Sequence, residues 1–179
     1  MTSRDPRSLP GRRVVLEPVT PAHVAELRRI LATPAVRLRW GNEAASEQWP
    51  FDDPSAVRFA IVLDGAVRGM VQYGEEDTPR YRHASIDIFV DPHVHGRGVG
   101  RDAVHTLARH LVDDRGHHRI VIDPAADNQP AIRCYTAVGF RPVGVLRAYE
   151  GDIDPDTGEE TGGWHDGLLM DVLAHELRG

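Results

Sequence analysis

Apolar positions along the chain repeat at two spacings, and each spacing predicts a kind of element. Short apolar or alternating runs over residues 14–19, 58–65, 66–74, 85–91, 118–123, 141–149 and 164–173 read as strands, whose successive side chains point to opposite faces. Recurrence at three and four residues in Val24, Leu27, Ile30 and Leu31, in Val99, Val104, Leu107, Ala108, Leu111 and Val112, and over 131–138 predicts helices. The boundaries carry their own signals. Thr20 ahead of Pro21 supplies an N-cap and a first-turn proline, Pro34 closes the helix that follows, and Asn128, Pro130 and Gly139 bracket the last one. Asp64-Gly65 marks a hairpin, so residues 58–91 read as three antiparallel strands divided by this turn and by an acidic loop at Glu75, Glu76 and Asp77. The stretch 35–54 shows no clean period, which leaves its Trp40, Trp49 and Phe51 either to core packing or to the wall of a cleft. The order β-α-(α)-β-β-β-α-β-α-β-β predicts an α+β protein: a mixed, largely antiparallel sheet flanked by helices. Residues 1–12, polar and rich in Pro and Arg, read as a flexible lead-in to one domain over 13–179.

Composition narrows the class of protein. With 179 residues, 41% apolar and 27% charged, the chain has material for one well-buried core. No apolar run approaches the length that crosses a bilayer, and the first ten residues lack the apolar segment of a secretory signal. A single cysteine, Cys134, excludes an internal disulfide, and these features together point to the cytoplasm and away from a membrane. The net charge of -6 argues against a nucleic-acid binder and suits a cationic small-molecule partner. The ten histidines lack the spacing of a metal motif. Residues 152–158 superficially match a calcium loop, but the glycine comes one place late and Gly163 stands where a glutamate belongs, so no metal is expected.

The chemistry concentrates around His95-Gly96-Arg97-Gly98-Val99-Gly100, between the run 85–91 and the long helix. Strand, glycine-rich turn and helix in succession aim the orphan N–H groups and the positive end of the helix at whatever fills the turn. The turn is therefore a candidate anion cradle, with Arg97 and Arg101 adding charge from the sides. Asp87 lies in mid-strand and alternates with Ile86 and Ile88, so its carboxylate must face solvent, a partner or a site.

These segments resemble the GNAT superfamily of acetyl-coenzyme-A-dependent N-acetyltransferases over roughly residues 13–173. The superfamily's pyrophosphate motif, Gln/Arg-x-x-Gly-x-Gly/Ala, is matched by residues 95–100 with His95 at the first position. A second signature, an Asn before a helix that carries a Tyr and ends in Gly-Phe, is matched by Asn128, Tyr135, Gly139 and Phe140. The resemblance implies the GNAT fold and acetyl-CoA as co-substrate. It places the pantetheine along the main chain of Ile88, Phe89 and Val90, and the rest of the coenzyme at His95, Gly96, Arg97, Gly98, Val99, Gly100, Arg101 and Asn128. It also makes Asp87 a base or an electrostatic anchor for the reacting amine, and Tyr135 the proton donor to the departing sulfur.

Within the superfamily the chain is most similar to aminoglycoside 6'-N-acetyltransferases. That likeness rests on Trp40-Gly41, Ile86-Asp87, Asp123-Pro124, Asn128 and Ala131-Ile-Arg-Cys-Tyr135, and it implies a substrate pocket of Trp40, Gln72, Tyr73, Asp87 and Asp123. The expected reaction is acetyl transfer to the 6'-amine of an aminoglycoside by direct attack in a ternary complex, since Cys134 has no adjacent histidine in sequence to support an acetyl-enzyme. Glu75, Glu76, Asp77, Asp87, Asp123, Asp152, Asp154 and Asp156 would oppose a polycation if they surround one cleft. Acetylation of a protein N-terminus, as by ribosomal-protein acetyltransferases, or of a siderophore-precursor amine stays open. So does a coenzyme-A-binding regulatory module without catalysis, although Asp87 and Tyr135 speak against it. The long acidic loop over 150–163 departs from the aminoglycoside-enzyme pattern, and neither the amines accepted nor the number of chains that associate is legible.

Overall fold

The structure is a computed structural model and describes residues 7–178. Eight strands form one sheet: β1 Leu9–Pro10, β2 Val15–Pro18, β3 Val57–Leu63, β4 Ala66–Glu76, β5 His83–Val90, β6 Arg119–Ile122, β7 Arg141–Ile153 and β8 Glu160–Leu173. Their order is β1-β2-β3-β4-β5-β6-β8-β7. Every neighbouring pair is antiparallel except β5 and β6. The four α-helices are α1 Val24–Leu31, α2 Pro34–Trp40, α3 Val99–Asp113 and α4 Gln129–Val138. Among the described residues no helix is long and apolar enough to cross a membrane.

Strand alternation divides the core into two layers. Met70 and Phe89 point to the face covered by Leu27, Ile30 and Leu31 of α1 and Val36 of α2, with Trp49 closing the cluster. Val71 and Ile86 point the other way, into a larger cluster with Leu107 and Leu111 of α3, Val138 of α4, and Ile120 and Met170. The apolar stripes read from sequence are thus the buried faces of α1, α3 and α4.

The parallel pair is short. β5 and β6 are in register only at Ala84↔Ile120 and Ser85↔Val121, after which the two strands part. β6 continues as an irregular segment held by hydrogen bonds to the far side, Leu168 N–H to Pro124 O at 2.8 Å and Ala126 N–H to Asp166 O at 2.8 Å. The sheet therefore opens between Ile86 and Val90 of β5 and the chain after Ile122.

Three sequence expectations change. The flexible lead-in does not reach Leu9, which is buried in β1 opposite Leu16; residues 1–6 lie outside the described residues. The cause is Asp102 in the first turn of α3, whose carboxylate accepts from the backbone N–H groups of Arg12, Arg13 and Val14 at 3.2, 2.7 and 3.0 Å. The acidic loop expected over 150–163 is mostly strand: β7 runs to Ile153 and β8 starts at Glu160. Only the turn between them is loop, and Asp154 organises it by accepting from the N–H groups of Asp156 and Thr157. The unpatterned stretch contains α2, which is only seven residues long and buries a single apolar side chain, Val36.

Asp102→Ala should lower stability by about 3 kcal/mol, because it strands backbone donors that now meet a charged acceptor. Urea denaturation measures this; a loss under half of that would mean that water replaces the carboxylate freely.

Candidate active site

Two cavities meet where β5 and β6 part. The first, of about 320 Å³, lies over Asp87 and Asp123; the second, of about 550 Å³, runs from there to the glycine turn. Arg39, Trp40, Ile88, Asn128 and Tyr135 line both, so the two form one channel with Tyr135 at the junction.

The second cavity has an apolar wall and a polar end. Ile88, Phe89 and Val90 of β5 form one side, and Ala131, Cys134 and Tyr135 of α4 the other. At the polar end Gly96 and Gly98 have φ of 74° and 79°, left-handed conformations that favour glycine, and a side chain on either would meet no atom within 4 Å. Gly98 is the N-cap of α3, and the first helical bond is Asp102 N–H to Gly98 O at 3.0 Å. The N–H groups of Val99, Gly100 and Arg101 thus have no carbonyl one turn back and mark an anion site beside open space. His95 secures the turn to the strand: its Nε2 lies 3.0 Å from the Val90 carbonyl oxygen. Asp91 secures the strand end. Burial pulls its pKa up, but hydrogen bonds from His93 and Arg29 outweigh this and hold the carboxyl down at about 2. This shape fits coenzyme A, with a narrow apolar run for pantetheine and main-chain donors for pyrophosphate. Asn128 is committed to the end of α4, where its Oδ1 accepts from Ala131 N–H at 3.3 Å.

The first cavity is acidic. Asp87 receives a 3.3 Å hydrogen bond from Gln72, whose own oxygen accepts from Arg58 at 3.0 Å. Although the Asp87 side chain opens to the cavity, desolvation pushes its pKa above the usual carboxylate range, and the charges of Asp123 and Glu150 add to this against the Gln72 bond. Glu43, across the cavity, is raised by burial and by neighbouring carboxylates including Asp52 and Asp87. Asp123 accepts from the Tyr149 hydroxyl. That bond, with partial burial, pushes the tyrosine up to about 12. Burial drives Tyr135 higher still, with Cys134, Asp87 and Asp123 contributing, so its hydroxyl keeps its proton and can only donate a hydrogen bond. Burial also lifts the Cys134 thiol to about 11, which leaves it a poor nucleophile.

Most of the residues expected at the site converge there, and some do not. Trp40, Gln72, Asp87 and Asp123 line the acidic cavity; the Trp40 indole donates to the Ile88 carbonyl at 3.3 Å and meets the Phe89 ring edge-on at 5.0 Å. Tyr73 is excluded. It follows Gln72 in β4, so it projects through the opposite face, stacked on Phe59 with ring centroids 6.5 Å apart. Arg97 turns away from the coenzyme channel and lines a third cavity behind the turn, whereas Arg101 borders both. Of the acidic residues expected around one cleft, Glu75 binds Arg115 and His117, Glu76 binds Thr78 N–H, and Asp152 binds His165, all away from the channel.

Sequence reasoning missed Glu43, Tyr149 and Glu150. The last two come from a bulge in β7 between Leu146 and Glu150, where Ala148 adopts φ of 47° and its N–H donates to Asp166 at 2.7 Å. A non-glycine residue in this region costs about 1 kcal/mol or more, and here it turns Tyr149 onto Asp123. The hairpin tip then leans on α2: Arg37 donates to the Asp156 carbonyl at 2.6 Å, and Ile153 packs where a side chain on Gly41 would stand. α2 and the hairpin together roof the cavity.

Because the folded pKa of Asp87 is raised, the stability its carboxyl contributes is full at low pH and is lost as pH rises through the folded value. Asp87→Asn should therefore melt a few degrees above the wild type at pH 7, with the gap closing towards pH 4. Thermal denaturation across that range checks it; an equal or lower melting point at pH 7 would show that the charge is not penalised.

Comparison with known proteins bears on this arrangement. The sequence profile of the Acetyltransferase (GNAT) family matches residues 24–140. N-alpha-acetyltransferase RimI of Mycobacterium tuberculosis is 36% identical over 72 residues, which make up 40% of this chain and 43% of that protein. The chain spans 19 to 60% of the lengths of the curated relatives it matches. Among solved structures, Mycobacterium smegmatis RimJ in complex with CoA-disulfide superposes with a TM-score of 0.76 at 24% identity, over 98% of this chain and 91% of that one. AAC(6')-Ib in complex with ribostamycin and coenzyme A superposes with a TM-score of 0.71 at 22% identity, over 92% and 95%. At these identities the structural likeness is one of fold, but the profile match takes in α2, β5, the glycine turn and α4, the elements that form the channel. The chain belongs to the GNAT family of acetyltransferases.

Proposed function

We propose that this acetyltransferase transfers the acetyl group of acetyl-CoA to the 6'-amine of an aminoglycoside in a ternary complex. The observation that carries this reading is the acidic cavity at the end of the coenzyme channel. Glu43, Asp87, Asp123 and Glu150 surround a space of about 320 Å³ that is walled by Trp40 and Tyr149. A polycationic sugar meets both requirements of such a space, since its ammonium groups pair with the carboxylates and its ring faces lie on the aromatics.

Acetyl-CoA supplies an activated acyl group whose leaving group is a thiolate. The chain's own residues then manage charge and protons. Asp87 anchors the incoming ammonium and takes its proton; its raised pKa makes it a stronger base than an ordinary carboxylate while Gln72 keeps it in place. Asp123, fixed by Tyr149, and Glu150 hold the other ammonium groups and so orient the reacting amine. Tyr135, between the two cavities, donates a hydrogen bond to the sulfur as the C–S bond breaks, the thiolate takes the proton that the nitrogen loses on becoming an amide, and Asp87 returns its proton to solvent. Cys134 stays out of the chemistry as a neutral thiol.

A second reading, acetylation of a protein N-terminus, is favoured by the similarity to RimI. Free-thiol release separates the two. Kanamycin or tobramycin should support turnover with acetyl-CoA, and N-terminal peptides of ribosomal proteins or spermidine should not; the reverse order would replace the antibiotic by a peptide or a polyamine. Asp87→Asn should reduce kcat/KM at least about tenfold, and Tyr135→Phe should lower kcat by about tenfold with little change in the KM for acetyl-CoA. An unchanged rate in either variant removes that residue from the mechanism.

A further inference from the structure

We infer that Arg58 is a positioning residue of this site: it fixes which way the Gln72 amide faces, and through that amide it keeps Asp87 ready to take a proton. The inference rests on the proposed reading of Asp87 as the base.

Strand register sets three side chains in one row. Arg58 of β3 lies opposite Gln72 of β4, and Gln72 lies opposite Asp87 of β5. Residues directly opposite each other in antiparallel strands point to the same face, so all three stand on the side of the sheet that bears the acidic cavity. They touch in that order. Arg58 Nε donates to Gln72 Oε1 at 3.0 Å, and Gln72 Nε2 donates to Asp87 Oδ2 at 3.3 Å. The half-buried Arg58 guanidinium forms no ion pair among the described residues. Its other hydrogen bond, from Nη1, goes to the Asp53 carbonyl at 2.9 Å and holds the head group in place.

A glutamine alone serves both states of a neighbouring carboxyl: it donates to the carboxylate or, turned over, accepts from the acid. Arg58 removes that neutrality. A guanidinium has donors only, so the end of Gln72 that meets it must be the carbonyl oxygen, and a turned amide would set N–H against N–H. The amide N–H groups are then left for Asp87, where a donor favours the carboxylate over the acid. The rest of the cavity pulls the other way. Asp123 and Glu150 favour the protonated acid, Glu43 is a further carboxylate across the space, and the hydroxyls of Tyr135 and Tyr149 carry no charge. Arg39, the cation in the wall, is paired with Asp127. Arg58, acting through Gln72, is thus the counterweight that leaves Asp87 able to accept a proton among crowded carboxylates.

Carboxyl-carbon NMR titration of Asp87 in the coenzyme-free protein, its resonance identified by its loss in Asp87→Asn, tests this without any acceptor amine. Arg58→Met should raise the Asp87 midpoint by about half a pH unit or more, and in a Gln72→Met background the same substitution should move it by less than about half as much. An unmoved midpoint in Arg58→Met would overturn the inference. So would an equal rise in both backgrounds, which would mean that the guanidinium acts by its charge across space and not through the amide. The wild type gives a second readout should Arg58→Met not fold. Its Gln72 side-chain N–H protons should shift with the Asp87 midpoint, and protons that ignore that midpoint would overturn the inference as well. Full turnover by Asp87→Asn would overturn the base reading, and with it the part given to Arg58 in catalysis, whatever the titration shows.

Discussion

Hydrogen bonding between β5 and β6 ends after two residue pairs, and the site depends on that ending. A parallel ladder continued to Val90 would fill the channel with backbone. Its interruption leaves polar main-chain groups along one strand facing an opening, a costly state in a core unless something occupies them. Part of the demand is met within the chain, by the Trp40 indole at Ile88 and His95 at Val90. The sheet can keep the gap because β6 is tied from behind: β8 completes its ladder, and Leu168 and Ala126 hold the segment that follows. Core packing on both faces then fixes the width of the opening.

Electrostatics divides the channel by function. One end presents helix N–H groups and arginines, the other four carboxylates, and Tyr135 lies between. Under the proposed function, an anionic donor and a cationic acceptor entering from the two ends are each drawn to one end and repelled from the other. The crowding that raises the pKa of Asp87 belongs to the same arrangement: grouped carboxylates destabilise one another until a cation joins them. The acidic cavity thus gives up some stability for function.

Much of this was legible in the sequence. The helical stripes of α1, α3 and α4, the hairpin at Asp64-Gly65 and the glycine turn followed from periodicity and punctuation, the place of Asp87 from its mid-strand position, and that of Tyr135 from the signature over Asn128 to Phe140. The failures have physical causes. Gln72 and Tyr73 are neighbours in a strand, so both cannot face one cavity, and strict alternation already favoured one of them. A two-residue strand such as β1 has no period to detect, and Asp102, which anchors the residues just after it, lies 88 to 90 residues from the N–H groups it accepts from. α2 is too short to show an amphipathic stripe. Tyr149 and Glu150 reach the cavity through a bulge, and a bulge breaks the alternation by which strand faces are read. Arg97 departs from expectation because the left-handed residues on either side of it reverse the chain there.

The hairpin of β7 and β8 lies beyond residue 140, where the family match stops, yet it contributes Tyr149 and Glu150 to the acidic cavity and rests its tip on α2. The coenzyme channel is lined by α2, β5, the glycine turn, α3 and α4 and by no residue of that arm. Under the proposed function the arm therefore adds to acceptor recognition alone, beside Trp40, Asp87 and Asp123 from within the matched residues. Under that reading, a change of length or sequence in the arm would reshape the range of amines accepted and leave the lining of the coenzyme channel as it is.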